Sequence, residues 1–202
     1  MPLYLKNPHS ILAALETRPQ DVFEIWPPDH PRDIWQTIVS TAREMGIKIA
    51  PGQKPPSRRG KWASGRSGAA RAVVKAHAGI SLEAIFVRVT SPGLWMGVDT
   101  IQDPHNLGAI FRTAAFFGVK GILLTRDRAT PLNATAYDVA SGGIEHVPFS
   151  LQTNLVRALD AAKDCGLWIL GTSEHANTDL AQIRPDRPWL LVLGNEEKGL
   201  RR

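Results

Sequence analysis

The stretch Asp103-Pro104-His105-Asn106-Leu107-Gly108-Ala109-Ile110-Phe111-Arg112-Thr113-Ala114 places a carboxamide and a guanidinium six positions apart, where an apolar run gives way to a helical pattern. Asn106, at or near the start of that helix, either caps it or orients a reacting group. Arginine keeps its proton in proteins, so Arg112 is a fixed cation whose planar fork suits a phosphate or a developing oxyanion, or it pairs with an acid. A second stretch, Leu193-Gly194-Asn195-Glu196-Glu197-Lys198-Gly199-Leu200, has two glycines at the spacing of a phosphate loop. Leu200-Arg201 stand where the Lys-Ser/Thr of a nucleotide triphosphate site is required, which removes that reading. In a third, Gly171-Thr172-Ser173, small residues let the main chain approach a ligand. The chain has no dinucleotide fingerprint, its six histidines lack metal-ligand spacing, and the single cysteine, Cys165, excludes an intramolecular disulfide or a Cys-rich zinc site.

The elements that must carry these stretches are legible from periodicity. Short apolar strands are expected at 94–98, 121–125, 167–170 and 189–193, and helices at 106–117 (closed by Gly118), 133–140 and 154–165 (closed by Gly166). Such alternation implies a parallel sheet covered on both faces, with ligands gathering at the carboxyl ends of its strands. Before Ser91-Pro92-Gly93 lies a smaller α/β unit: a helix capped by Ser10, a strand over 21–26 stopped by Pro27-Pro28, a helix over 33–45 ending at Gly46, a short strand at 47–49, and a further apolar stretch at 84–87. The fold class is therefore α/β, with two domains at 1–92 and 93–202.

Charge separates the two halves. Lys and Arg number 24 against 19 Asp and Glu, and the net charge of +5 divides into +6 over residues 1–92 and −1 over 93–202. The excess is concentrated in a Pro/Gly-rich segment, 51–71, where Lys54, Arg58, Arg59, Lys61, Arg66 and Arg71 occur without an acid and with Trp62 among them. Cations on such a segment can neutralise phosphates and the indole can stack on a base, or the segment is simply a solvated loop. At 43% apolar and 21% charged the composition is that of a globular chain, and no apolar run reaches membrane-spanning length. With no secretory leader evident, a cytoplasmic protein without membrane or metal partners is expected.

The first stretch resembles the first signature of the SpoU (TrmH-type) RNA 2′-O-ribose methyltransferases of the SPOUT superfamily, and Leu191-Val192-Leu193-Gly194-Asn195-Glu196-Glu197-Lys198-Gly199-Leu200 is similar to the second. Ala140-Ser141-Gly142-Gly143-Ile144-Glu145-His146-Val147-Pro148 resembles a small-residue segment found between them, and His77-Ala78-Gly79-Ile80 is a looser match to a motif of the preceding RNA-binding domain. The resemblance implies a small N-terminal α/β RNA-binding domain followed by a SPOUT domain of the trefoil-knot type. It implies S-adenosylmethionine as methyl donor, and RNA as partner, ribosomal RNA ahead of transfer RNA. Asn106, Arg112 and Glu196 would serve catalysis, and Thr172, Ser173, Gly194, Asn195 and Glu196 the cofactor. Lys54, Arg58, Arg59, Lys61, Trp62, Arg66 and Arg71 would contact RNA, in a chain that is a homodimer at full length. A third family signature, a Ser-Leu-Asn-type segment entering a C-terminal helix, does not occur before Arg202. The resemblance thus implies a methyltransferase domain lacking its C-terminal tail, with little cofactor affinity in residues 1–202. Two alternatives are a non-catalytic RNA-binding protein on a degenerate methyltransferase scaffold and an unrelated doubly wound nucleotide enzyme.

Overall fold

The computed structural model describes residues 2–50, 70–87, 89 and 92–200. Two sheets organise them. The first has the order β1-β4-β2-β3, built from β1 (Pro2–Leu5), β2 (Val22–Trp26), β3 (Lys48–Ile49) and β4 (Arg71–Lys75). In it β4 runs antiparallel to β1 and β2, while β3 is parallel to β2. Between these strands lie α1 (Pro8–Thr17) and α2 (Ile34–Glu44), and a short α3 (Leu82–Phe86) leads toward the second sheet.

The second sheet comprises β5 (Gly93–Val98), β6 (Ile122–Thr125), β7 (Phe149–Gln152), β8 (Trp168–Gly171) and β9 (Pro188–Leu193), all parallel, in the order β7-β6-β5-β9-β8. It is connected through α4 (Pro104–Phe116), α5 (Ala134–Ala140), α6 (Gly143–His146) and α7 (Leu155–Asp164). Side chains alternate between its faces. Val98, Ile122 and Leu124 join the core shared with α4 and α5, whereas Trp95, Leu123, Leu190 and Val192 face α7 and α3. The chain order reverses between β5 and β9, which is where an open parallel sheet offers a crevice at its carboxyl ends.

Several local expectations change. The first helix starts earlier than Ser10, because the Asn7 side chain accepts from His9 N–H and Pro8 suits the first turn. Ser10 is instead buried, its hydroxyl donating to the Tyr137 carbonyl at 2.6 Å and accepting from Gly142 N–H. The stretch at 84–87 contributes to a short helix capped by Ser81. β1, β4, β7 and α6 are additional to the sequence expectation: these are four- or five-residue pieces whose apolar residues pair across the sheet or pack on other elements rather than forming a long local period.

The two sheets share one hydrophobic core, in which Leu5, Ile25, Ala72 and Val74 from the first are continuous with Phe111, Tyr137, Ile144 and Phe149 of the second. Polar contacts fix the docking angle. Asp138 accepts from the Lys6 and Asn7 main-chain N–H groups at 2.9 Å each. Arg18 grips Glu145 through two parallel bonds of 2.7 Å, from Nε and Nη2, and Nη1 donates to the Lys75 carbonyl. Burial works against the Arg18 charge, but hydrogen bonding and attraction from Glu145 outweigh it and raise the Arg18 pKa above its ordinary value. With side-chain exposures of 7% and 1%, neither partner can turn to water if the other is removed. Glu145→Ala is therefore expected to destabilise the chain by about 3 kcal/mol, measured by urea unfolding, because it leaves a buried guanidinium with only Asp21, at 3.3 Å, and the Lys75 carbonyl as partners.

Candidate active site

The crevice between β5 and β9 is built by register. Six parallel pairs run from Gly93↔Pro188 to Val98↔Leu193, so both strands end at the same height and their following loops emerge side by side. Asp99 N–H donates to the Leu193 carbonyl at 2.8 Å, extending the pairing by one step. The chain out of β9 then folds into a tight loop in which Asn195 and Gly199 exchange both main-chain hydrogen bonds. Gly194 is obligatory there: a Cβ at this position would lie 2.2 Å from the Gly199 carbonyl carbon. Asn195 organises the loop, its Oδ1 accepting from the Glu197 and Lys198 N–H groups and its Nδ2 donating to the Thr100 carbonyl at 2.9 Å.

Thr100 itself is strained. It is buried and β-branched, yet has φ +55°. The conformation is held from both ends, by its own N–H donating to Thr125 Oγ1 at 2.8 Å and by Asn195 on its carbonyl. Its effect is to turn the β5 loop so that successive N–H groups, those of Gln102 and Asp103, point at the Glu196 carboxylate.

Glu196 is the meeting point. It accepts from Gln102 N–H, Asp103 N–H, Asn106 Nδ2 and Asn195 Nδ2, each at about 3.2 Å. Partial desolvation pulls its pKa upward, but the bonds from its own, Asp103 and Gln102 N–H groups and from Asn106 together outweigh it and lower the pKa of the carboxyl. A carboxylate engaged by four donors is a positioning group rather than a proton acceptor. Asn106 is not the helix cap: Asp103 is, accepting from His105 N–H, and Asn106 falls inside the first turn of α4. That frees its side chain, whose amide nitrogen faces the carboxylate, leaving Asn106 Oδ1 without a partner among the described residues. Arg112 lies on the same helix, exposed and in no contact with Asn106 or Glu196. Six residues at 100° each separate the two side chains by about 120° around the helix axis.

The β8 loop stands next to this cluster. Thr172 Oγ1 donates to the Val192 carbonyl at 3.0 Å, and a Cβ on Gly171 would meet Leu200 at 3.0 Å. Ser173 is exposed and its Oγ accepts from His175 N–H. Thr172, Gly194, Asn195 and Glu196 are thus brought to one end of β8 and β9, with Ser173 following. A cavity of about 540 Å³ runs alongside, between α4 and the β5–β9 pair, with Asn106, Gly194 and Glu196 among aliphatic neighbours. Of the residues expected to contact RNA, Lys54, Arg58, Arg59, Lys61, Trp62 and Arg66 lie outside the described residues. Arg71 opens β4, its guanidinium stacked against the Trp26 and Tyr4 rings at 5.2 and 5.8 Å. No group of three or more His, Cys, Asp or Glu among the described residues could hold a metal ion, and none of the described helices is long and apolar enough to cross a membrane.

The SpoU rRNA Methylase family model matches residues 94–202. The chain belongs to this family. It is 34% identical over 200 residues to the 23S rRNA (guanosine-2′-O-)-methyltransferase RlmB of Nitrosomonas europaea, covering 98% of this chain and 77% of that one. It is likewise 34% identical over 197 residues to RlmB of Pseudomonas aeruginosa, covering 96% and 79%. The fold is that of SpoU methyltransferase AviRb from Streptomyces viridochromogenes, solved with AdoMet: TM-score 0.79 at 21% identity, over 100% of this chain and 76% of that chain. An rRNA methyltransferase from Sinorhizobium meliloti superposes with a TM-score of 0.73 at 18% identity, over 99% and 73%. Family membership removes the unrelated nucleotide enzyme considered above.

Thr100 and the Gln102 and Asp103 N–H groups carry no sequence signal, since nothing local in an Asp-Thr-Ile-Gln run announces a left-handed residue. Their dependence on Glu196 is measurable. Glu196→Ala is expected to accelerate amide exchange at Gln102 and Asp103 by up to about tenfold while leaving core amides unchanged. Because the folded pKa is depressed, protection in the unsubstituted chain should persist above the ordinary carboxylate range and disappear only as pH falls below it.

Proposed function

We propose that this chain methylates the ribose 2′-hydroxyl of a guanosine in ribosomal RNA, using S-adenosylmethionine. The observation that carries the reading is the Asn106–Glu196 pair locked across the β5–β9 crevice in a chain of the SpoU family. The residues present suit the cofactor. Exposed Ser173 and the backbone of the Gly194–Gly199 loop stand beside half-buried, apolar Leu193 and Leu200, which sets polar groups against an apolar wall, as an adenosyl group requires. Thr172, Ser173, Gly194, Asn195 and Glu196 would hold it. When bound, it supplies a methyl carbon on a sulfonium, open to an oxygen nucleophile in line with the departing sulfur.

The chain's own part is to place and polarise the alcohol. Asn106 Oδ1, fixed in direction by Glu196, accepts from the ribose hydroxyl and orients its lone pair, and the hydroxyl proton passes to solvent water at this exposed site as the oxygen takes the methyl group. Arg112 cannot act as a base, so its role is cationic: clamping the adjacent phosphate through two N–H groups and stabilising negative charge on the oxygen. Residues 1–92, with their net +6, form the RNA-binding half. Exposed Phe116 and Phe117 at the end of α4 are an apolar surface that supports a homodimer. Ribosomal RNA as substrate supports a cytoplasmic site of action.

Arg112→Lys should keep partial activity, reduced about tenfold, and Arg112→Ala should fall about 10²–10³-fold in methyl transfer to ribosomal RNA. Equal rates for the lysine variant and the unsubstituted chain would refute the bidentate clamp. Replacing Lys54, Arg58, Arg59, Lys61 and Arg66 together with serine should weaken RNA binding and flatten the slope of log K against log salt by about 3 or more in filter-binding titrations.

A further inference from the structure

A second cavity, of about 230 Å³, opens over the carboxyl ends of β5, β6 and β7, on the side of β5 away from β9 and β8. Its walls are aliphatic, with Ile101, Leu107, Leu132 and Leu151 prominent, and among the described residues that line it His77 and Arg126 are the ones with nitrogen-bearing side chains. None of the described residues lining it carries a carboxylate. The Thr125 hydroxyl is already bonded to Thr100 N–H. Ile101 lies in the lining of both cavities and immediately precedes Gln102, whose N–H holds Glu196.

His77 is set up as a donor. Gly79 N–H donates to His77 Nδ1 at 2.9 Å, so in the neutral ring the proton sits on Nε2, which makes no hydrogen bond among the described residues. Burial lowers the His77 pKa, keeping the ring neutral near pH 7.

The geometry points to this cavity as the seat of the target base, a guanine whose O6 and N7 acceptors face Arg126 and His77. The assignment rests on the ribose-methylation reading above. In-line transfer would put the donor's sulfur and the attacking oxygen on opposite sides of the methyl carbon that moves, so donor and acceptor nucleotide would reach it from opposite directions. With the candidate cofactor residues over β8 and β9, the nucleotide approaches from the β6 side, and a base attached to that ribose meets the cavity bounded by Ile101. Aliphatic walls suit the two faces of a planar base. An edge lined by N–H donors accepts guanine and opposes the amino group of adenine.

Chemical-shift mapping of the isoleucine and leucine methyl groups of the 202-residue chain, titrated with guanosine 5′-monophosphate, tests this directly. Ile101, Leu124, Leu132 and Leu151 should shift, with adenosine 5′-monophosphate binding at least about fivefold more weakly. Arg126→Ala should abolish that preference, and Ala129→Phe, which fills the cavity, should weaken both nucleotides. Excess S-adenosylmethionine should leave the shifts in place. Shifts confined to Leu193 and Leu200, displacement by S-adenosylmethionine, or an undiminished guanine preference in Arg126→Ala would each overturn the assignment. Mapping the methylated atom in ribosomal RNA is a separate readout: methylation of a base would sink the ribose reading, whereas 2′-O-methylation by an Ala129→Phe chain at the unsubstituted rate would sink the cavity alone.

Discussion

The parallel pairing of β5 with β9 is the constraint on which the site depends. These strands are separated by about ninety residues of chain, and nothing local compels Val98 to stand opposite Leu193. Once they do, the two loops leave the sheet at the same level, and the Glu196 carboxylate falls within reach of the N–H groups of Gln102 and Asp103. A shift of one residue would turn the alternate faces of β9 over, exposing Leu190 and Val192 while burying Leu191 and Leu193. Register is therefore protected by the two cores, and the geometry of the crevice is inherited from them.

Strain and charge are arranged around this pairing in a consistent way. The left-handed Thr100 costs free energy of the order of 1–3 kcal/mol, offset by bonds from Thr125 and Asn195 at its two ends. Glu196 binds four donors, which keeps it ionised and fixes Asn106. The functional groups are thus held by neighbours that are themselves held, which is how a site on loops acquires the precision of one on rigid elements.

The two α/β halves are joined by more than apolar contact. The Arg18–Glu145 fork, the Asp138 carboxylate over the Lys6 and Asn7 N–H groups, and the Ser10 hydroxyl between Tyr137 and Gly142 are directional, so they select one docking angle where an apolar interface would permit several. That angle brings His77, from beyond β4, over the ends of β6 and β7. The small-residue segment 140–148 is part of the same joint: Gly143 lies so close to α4 that a Cβ would sit 2.6 Å from the Phe111 carbonyl oxygen.

Much of this was legible without coordinates. The apolar strands at 94–98, 121–125, 167–170 and 189–193 and the helices between them follow from periodicity that each segment carries in itself, and they lie within a residue or two of the observed elements. Asn106 and Glu196 are marked by signatures spelled in consecutive residues. What the amino-acid order could not express was the pairing of elements remote in sequence. The release of Asn106 from capping, the saturation of Glu196, the left-handed Thr100 and the separation of Arg112 from both depend on which loops become neighbours. Short strands such as β4 and β7 acquire their identity from partners across the sheet. Local propensity acts over a few residues, whereas register and domain docking are decided by burial and hydrogen bonding summed over the whole chain, and only the tertiary structure performs that sum.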